Sequence, residues 1–423
     1  MKPLTGIRIL DFTTLLPGPL ATLMLSDAGA EVIKIEKIGG EEMRKSKPKI
    51  CDNSILFAML NRGKKSIEVN LKNPVYREKI KKLIKQSDVI IEQFRPGVME
   101  RLGLGWKQVK KLNKKIVYCS ITGYGQDGEK KNKAGHDLNY LAESGLLKFS
   151  CAKDGAPVLP ITQIADIAGG SYPAFMNILL ALFKAKNQNK GSFLDISMYE
   201  NLVPLAWLGL SNLNAKGFDE SQSLYLNGQI ARYNIYKTKD NKYLALGALE
   251  DKFWKKFCEI IKAPKEVVLE KLPHSTLIKK VQSIIKEKNE SFWKKKFDNE
   301  NNVCCTAIKS LKEFMQDKHI KNKKLFASNI SINGNAINFS SVTNETETIT
   351  AINNASIGDI VASANSSGEV QLESASGADI VIAHAGTAGV FFDGHTDATG
   401  ATIAVGSSVT FKGQILLTHT AGD

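Results

Sequence analysis

Only three of the six histidines, His136, His274 and His319, lie in the first 326 of the 423 residues. An imidazole is the side chain that most readily exchanges a proton near neutral pH. His274 and His319 sit among lysines in Leu-Pro-His-Ser-Thr-Leu-Ile-Lys-Lys and Gln-Asp-Lys-His-Ile-Lys-Asn-Lys-Lys, which reads as solvated helix surface. His136 follows a glycine in Lys133-Ala-Gly-His-Asp-Leu-Asn-Tyr140 and opens an apolar-periodic helix. On its own terms it is more readily a structural histidine than a catalytic one, and Asp137 beside it is a natural helix N-cap. A second group of reactive side chains is cationic: Arg62, Lys64 and Lys65 in Asn61-Arg-Gly-Lys-Lys-Ser66, and Arg95 in Phe94-Arg-Pro-Gly-Val98. A guanidinium stacks on a purine or clamps a phosphate, and an ammonium attracts phosphate as a point charge. The six cysteines are irregularly spaced, and the adjacent Cys304-Cys305 pair is no metal-ligand pattern, so reduced thiols are expected and no metal site.

These groups need elements to hold them. Ile7–Phe12, Glu31–Glu36, Ser66–Leu71, Asp88–Glu92 and Lys115–Ser120 read as strands. Helices between them are predicted at Pro19–Ser26, Val75–Gln86 and Trp106–Leu112. Strands alternating with helical crossovers imply an α/β fold with a Rossmann-like parallel sheet. The cationic stretches, Pro17-Gly-Pro19 and Gly123-Tyr-Gly-Gln126 all fall after strand ends or in the loops there, where open α/β sheets bind ligands. The first strand–helix turn reads Leu16-Pro-Gly-Pro-Leu20 and lacks the G-x-G-x-x-G fingerprint, so a nicotinamide cofactor is not expected despite Glu36 standing where a ribose-binding acid would. The lysine-rich face of the helix at 75–86 reads as solvated, and no recognition motif points to nucleic acid. The longest uncharged apolar run, Ile167–Lys184, is broken by Gly169, Gly170 and Pro173, and is expected as a buried helix rather than a membrane span. The opening twelve residues show no signal-peptide core, which suggests a cytoplasmic chain.

At residue 327 the composition changes. The net charge of the whole chain is +14, yet the last 97 residues hold one base, Lys412, against nine acids, and no cysteine or tryptophan. Two modules are therefore read separately.

The basic module resembles the class III coenzyme A transferases, the CaiB/BaiF family, and within it the α-methylacyl-CoA racemases. The stretches that carry the likeness are LTGIRILDFTTLLPGPLATLMLSDAGAEVIKIE, LNRGKKSIEVNLK, DVIIEQFRPGVMERLGLG and ITGYGQDGEKKNKAGHDLNYLAESGLL. They are followed in family order by Asp166-Ile-Ala-Gly-Gly170, Gly191–Met198 and Tyr243–Glu250. The resemblance implies a large CoA-binding α/β domain over 1–200, and linker helices with a small α/β domain over 201–326. It also implies an interlocked homodimer acting on acyl-CoA thioesters, with no further cofactor. It implies catalytic roles for His136 and Asp166, thirty residues apart, as an acid–base pair flanking an α-carbon, with Glu250 accepting a hydrogen bond from the histidine. It places Arg62, Lys64, Lys65, Arg95, Gly123, Tyr124 and Gly125 around coenzyme A. Asp166 is expected at a helix N-terminus whose backbone amides face the thioester oxygen, with Gly169 and Gly170 leaving room for the acyl group. Transferases of the family use the equivalent aspartate as a nucleophile and generally lack the histidine. The presence of both residues favours inversion of a 2-methylacyl-CoA through an enolate over CoA transfer.

The tail, 327–423, is expected to be β-rich. Strand-like runs separated by Asn-Gly, Ser-Gly and Ser-Gly-Ala suggest hairpins, with one helix near Glu345–Asn353. Residues 330–382 resemble the "IN" motif of flagellins and hook-associated proteins. That resemblance implies an accidental join of unrelated halves, a working fusion, or a structural or surface protein in which the enzyme half is vestigial.

Overall fold

The computed structural model describes residues 2–50, 53–150, 156–213 and 225–323, with separate strands and one helix of the tail beyond. The chain divides into two compact units.

The first unit takes in 1–140, 162–202 and the chain from 318 onward. Its centre is a six-stranded parallel sheet of β1 (Arg8–Asp11), β2 (Glu31–Glu36), β3 (Lys65–Glu68), β4 (Val89–Glu92), β5 (Val117–Thr122) and β6 (Ser192–Ser197). The order across the sheet is β3-β2-β1-β4-β5-β6. The connection reverses between β1 and β4, which makes a crevice beyond their C-terminal ends the natural ligand site of such a sheet. The apolar strand runs are fully buried because helices cover both faces: Leu10, Ile90 and Tyr118 pack with Ile80 and Ile84 of α3 (Pro74–Ile84) and Val109 of α4 (Trp106–Leu112). Helix α1 (Pro17–Asp27) starts on Pro17 and Pro19, whose fixed φ suits a first turn. A short helix, α2 (Ile55–Asn61), capped by the Ser54 hydroxyl, leads into the Arg62–Lys65 turn.

The helix expected over the apolar run is present but one-sided. A wide π-helical turn, Ala165–Ser171, continues into α6 (Tyr172–Gln188), following α5 (Asp137–Glu143) in the chain. Ala174, Ile178, Ala181 and Ala185 are buried, whereas Tyr172, Met176, Leu180 and Phe183 are 48–69% exposed. Three alanines and Ile178 face the protein while four large apolar side chains face outward, so the sequence reading as a buried helix is corrected. By length and composition alone the 24 residues Ala165–Gln188 would also suit a membrane.

The second unit comprises 141–161 and 203–317. An antiparallel sheet of β7 (Tyr233–Lys237), β8 (Tyr243–Gly247) and β9 (Cys305–Ala307) is backed by α7 (Asp251–Ile261), α8 (His274–Ile285) and α9 (Glu290–Asp298). Trp254, Phe257, Trp293 and Phe297 stack through its core with Leu277, Val281 and Ile285.

In the tail, Asn329–Ile332 and Asn335–Asn338 pair as the hairpin expected around Asn-Gly, and Ile360–Ala364 pairs with Val370–Ser374. Helix α10 (Glu345–Asn354) falls where the sequence puts it, and Asn353 bonds both backbone groups of Ala362. Most of the last forty residues, Cys51 and Cys151 lie outside the described residues.

Candidate active site

Strand β5 delivers the Gly123–Gln126 loop. Gly125 has φ +84°, a left-handed conformation that only glycine adopts freely, and its N–H donates to the Thr122 hydroxyl at 2.9 Å. Tyr124 is buried, edge-on to Tyr140 at 5.2 Å and tilted against Tyr199 at 5.4 Å. The Tyr140 hydroxyl donates to the Gly135 carbonyl at 2.6 Å, which pins the peptide just ahead of His136. A Cβ on Gly123 would stand 2.5 Å from the Tyr140 hydroxyl oxygen and one on Gly135 2.7 Å from the ring, so both glycines are dictated by this tyrosine.

His136 sits at the start of α5. Its N–H donates to Asn139 Oδ1 at 3.0 Å and its carbonyl accepts from Asn139 N–H at 2.8 Å. Asn139 thus does the capping, and the exposed imidazole makes no hydrogen bond to any described residue. Asp137 is not the N-cap that the sequence suggests. Its Oδ1 accepts the Asp166 backbone N–H at 3.0 Å and ties α5 to the wide turn. The Asp166 carboxyl is partly buried and accepts no hydrogen bond from the described residues. Burial pushes it up to about 6, the Asp137 charge adds to the rise, and His136 opposes it. Tyr140 is pushed up to about 12 by burial and by Asp166 and Asp137. His136, Asp137, Tyr140 and Asp166 therefore form one electrostatic cluster.

Two expectations about the wide turn change. The Asp166 amide is taken by Asp137 and the Ile167 N–H by the Gln163 carbonyl at 3.0 Å, so neither points at a substrate oxygen. Gly169 and Gly170 serve packing rather than acyl access: a Cβ on Gly169 would lie 2.4 Å from the Met198 carbonyl oxygen, and one on Gly170 3.1 Å from both Met198 and Pro17 side chains.

The cationic residues separate. Lys64 is 1% exposed and turned inward, its Nζ donating to Thr22 Oγ1 (2.7 Å), Asn61 Oδ1 (2.8 Å), the Pro19 carbonyl (2.9 Å) and Asp11 Oδ2 (3.3 Å). An ammonium with four acceptors has no donor left for a phosphate, which corrects its place around coenzyme A. Lys65 is 71% exposed and paired with Glu31 at 2.6 Å, and Arg62 pairs with Asp27 at 2.6 Å. Arg95 is exposed after β4 and has no ion pair among the described residues. Glu36, the would-be ribose acid, is bonded by Arg44 Nε and Nη2 and by Ser66. Glu250 belongs to the second unit, exposed just ahead of α7, where Arg232 Nη1 donates to the preceding Leu249 carbonyl at 2.7 Å.

Sequence reading missed Asp11, Glu92 and Gln93. Each lies at or just past the end of a buried strand, and the signal was available as an acid or amide closing an apolar run in Ile-Leu-Asp-Phe and Ile-Ile-Glu-Gln. No group of three or more potential metal ligands occurs among the described residues.

Residues 4–352 match the model of CoA-transferase family III. The chain belongs to that family. The match runs past residue 326 into the segment read from the sequence as foreign tail. Similar relatives include the mouse succinyl-CoA:glutarate CoA-transferase, 38% identical over 63% of this chain and 61% of its own length. The human α-methylacyl-CoA racemase is 30% identical over 76% of this chain and 82% of its own. The chain thus spans about three-fifths of the glutarate CoA-transferases it matches. A hypothetical protein from Mycobacterium tuberculosis shares the fold with TM-score 0.67 and 28% identity, covering 77% of this chain and 89% of its own. CoA-transferase family III includes enzymes named as transferases and as racemases, so membership supports acyl-CoA chemistry and leaves the reaction to the site.

Proposed function

We propose that this chain moves coenzyme A between an acyl thioester and a free carboxylate, with Asp166 as the acyl acceptor. This reverses the order of the two readings drawn from the sequence. The observation that carries it is the Asp166 carboxyl, partly buried yet without a hydrogen-bond donor among the described residues, so that its lone pairs are unspent and poorly solvated. Such a carboxylate is activated as a nucleophile. Its attack on the thioester carbonyl forms a mixed anhydride and breaks the C–S bond, releasing the CoA thiolate. The thiolate then attacks the aspartyl carbonyl, giving an Asp166–CoA thioester and freeing the first carboxylate. The acceptor carboxylate repeats the two steps in reverse order and leaves as its CoA ester, with no net proton change. The relatives named as CoA-transferases support the same direction.

The test mixes the chain with succinyl-CoA or a longer acyl-CoA and a panel of carboxylates, followed by mass spectrometry of the Asp166 peptide. An acyl or CoA adduct on Asp166 and a new acyl-CoA are expected; transfer that persists in Asp166→Asn would overturn the reading. Activity should rise with pH through about 6 as the carboxyl ionises.

One observation favours a second reading. His136 stands beside Asp166 with an imidazole that makes no hydrogen bond to the described residues, the partner that 1,1-proton transfer requires. In that case solvent deuterium enters the α-position of a 2-methylacyl-CoA, no CoA reaches a carboxylate, and the pH profile is bell-shaped. Glu250 and Arg95 remain proposals for the His136 partner and for the CoA phosphates. The exposed Tyr172, Met176, Leu180 and Phe183 stripe supports pairing with a second copy of the chain.

A further inference from the structure

Strand β4 ends on a carboxyl that the proposed chemistry does not use. Glu92 is 4% exposed, and among the described residues no cation is paired with it. One of its oxygens accepts the Phe94 N–H at 2.8 Å, and Ser120, its register partner on β5, lies beside the carboxyl and favours its charged form. Ser120 Oγ in turn accepts Gln126 Nε2 at 2.7 Å, while the Gln126 N–H donates to Asp195 Oδ2 at 2.9 Å. The next residue, Gln93, accepts the Gly18 N–H at 3.1 Å on its side-chain oxygen. The end of β4 therefore binds three loops that meet beyond the sheet: Leu16–Pro19, Phe94–Gly97 and Gly123–Gln126.

A buried carboxyl without a cation costs stability. We propose that Glu92 is a positioning residue whose protonation sets how firmly the Phe94–Gly97 and Gly123–Gln126 loops are held to each other, and so how tightly the site takes an anionic CoA thioester. The idea rests on the CoA reading for its ligand, though not for the loop coupling itself.

The groups facing Glu92 fix the sign. Glu100 and Asp195 are acids, Tyr118 and Cys119 are neutral, and Ser120 and the Phe94 amide favour the charged form. Burial pushes Glu92 up to about 7, against Ser120 and the Phe94 amide and with Glu100 and Asp195 adding to the rise. Below that pH the carboxyl is neutral. Above it a new charge faces Asp195, the anchor of Gln126, and repels a polyanionic ligand. The grip on the loops loosens as pH rises, and by linkage a bound CoA ester draws a proton onto Glu92.

Amide hydrogen exchange on the full chain at pH 6 and pH 8, corrected for intrinsic rates, tests the coupling without a ligand. Protection at Gly125 and Gln126 should fall about fivefold between the two pH values in the wild type, the size of a modest coupling. It should stay at the pH 6 level in Glu92→Gln and be low at both in Glu92→Leu, while the β1 core amides serve as a control for global stability. Equal pH dependence in wild type and Glu92→Gln overturns the proposal. Titration with a nonhydrolysable CoA thioether then reads the functional half: affinity should weaken about fivefold from pH 6 to pH 8 in the wild type and not in Glu92→Gln. A wild type that shows the exchange pattern and binds no thioether removes the CoA reading and leaves the loop coupling standing.

Discussion

Two desolvated aspartates on the first unit, one fully and one partly buried, are treated in opposite ways. Asp11, at the end of β1, is fully buried, and burial alone would raise it. Lys34 and Lys64, with the Thr13 and Thr22 hydroxyls, reverse that and hold it down at about 2. Asp166 is also desolvated, but its nearest acid, Asp137, adds to the rise and only exposed His136 opposes it. One carboxylate has its charge answered by two lysines and two hydroxyls; the other accepts no hydrogen bond from the described residues. The comparison separates a group that holds the fold from one left available to react, a distinction that composition and charge alone do not reveal.

The largest effect should come from removing the unanswered carboxyl. Asp166→Asn is expected to lower turnover on the order of a thousandfold or more and at the same time to stabilise the chain. Asp166 is raised in the fold, so the native state binds the proton more tightly, and stability is lost as pH rises from the unfolded value of 3.8 through about 6. At pH 7.5 the asparagine should therefore melt higher by about 1–2 kcal/mol after allowing for partial exposure. A lower melting point with the same loss of activity would make Asp166 structural.

Breaking the answered pair acts on stability instead. Lys64→Met leaves Asp11 with one cation fewer and should cost about 3–5 kcal/mol in urea unfolding. The same pair predicts acid sensitivity. Asp11 is depressed, so its contribution is complete above pH 3.8 and is lost as pH falls toward about 2. Lys64→Met should flatten that limb of the stability curve.

Gly169→Ala is smaller, about 1–3 kcal/mol, because the new methyl meets the Met198 carbonyl and the backbone must give way. Arg62→Ala should be smallest, below about 1 kcal/mol, since its pair with Asp27 is solvent-exposed. If that variant nevertheless weakens a CoA thioester tenfold, Arg62 contacts the ligand as the resemblance implies.

Much of the scaffold was legible. Glu31–Glu36 and Trp106–Leu112 form the elements that their apolar periodicity predicts, with the same ends. Local pattern suffices where one face is buried along the whole element. It fails where a side chain chooses between solvent and a partner far along the chain. Lys64 reads as a phosphate ligand because its neighbours are basic, yet it turns toward an aspartate 53 positions earlier. Asp137 reads as a cap and instead holds an amide 29 positions later. Gly169 and Gly170 look like open space in the sequence and are close contact in the fold. For Asp166 and His136 the pair came from the family resemblance, not from local pattern, and the structure adds their surroundings.

The wide turn at Ala165–Ser171 has a consequence for how this helix tolerates change in length. A π-helical turn accommodates about one residue more than the α-helical winding that follows it. Deleting a single residue between 167 and 171 would let the segment rewind as ordinary α-helix, and each residue of α-helix turns the chain by about 100°. Asp166 would then rotate away from Asp137 while α6 kept its seat on the sheet. The extra residue thus works as an angular spacer, and a chain that lost it would retain its architecture and present a different face to the substrate.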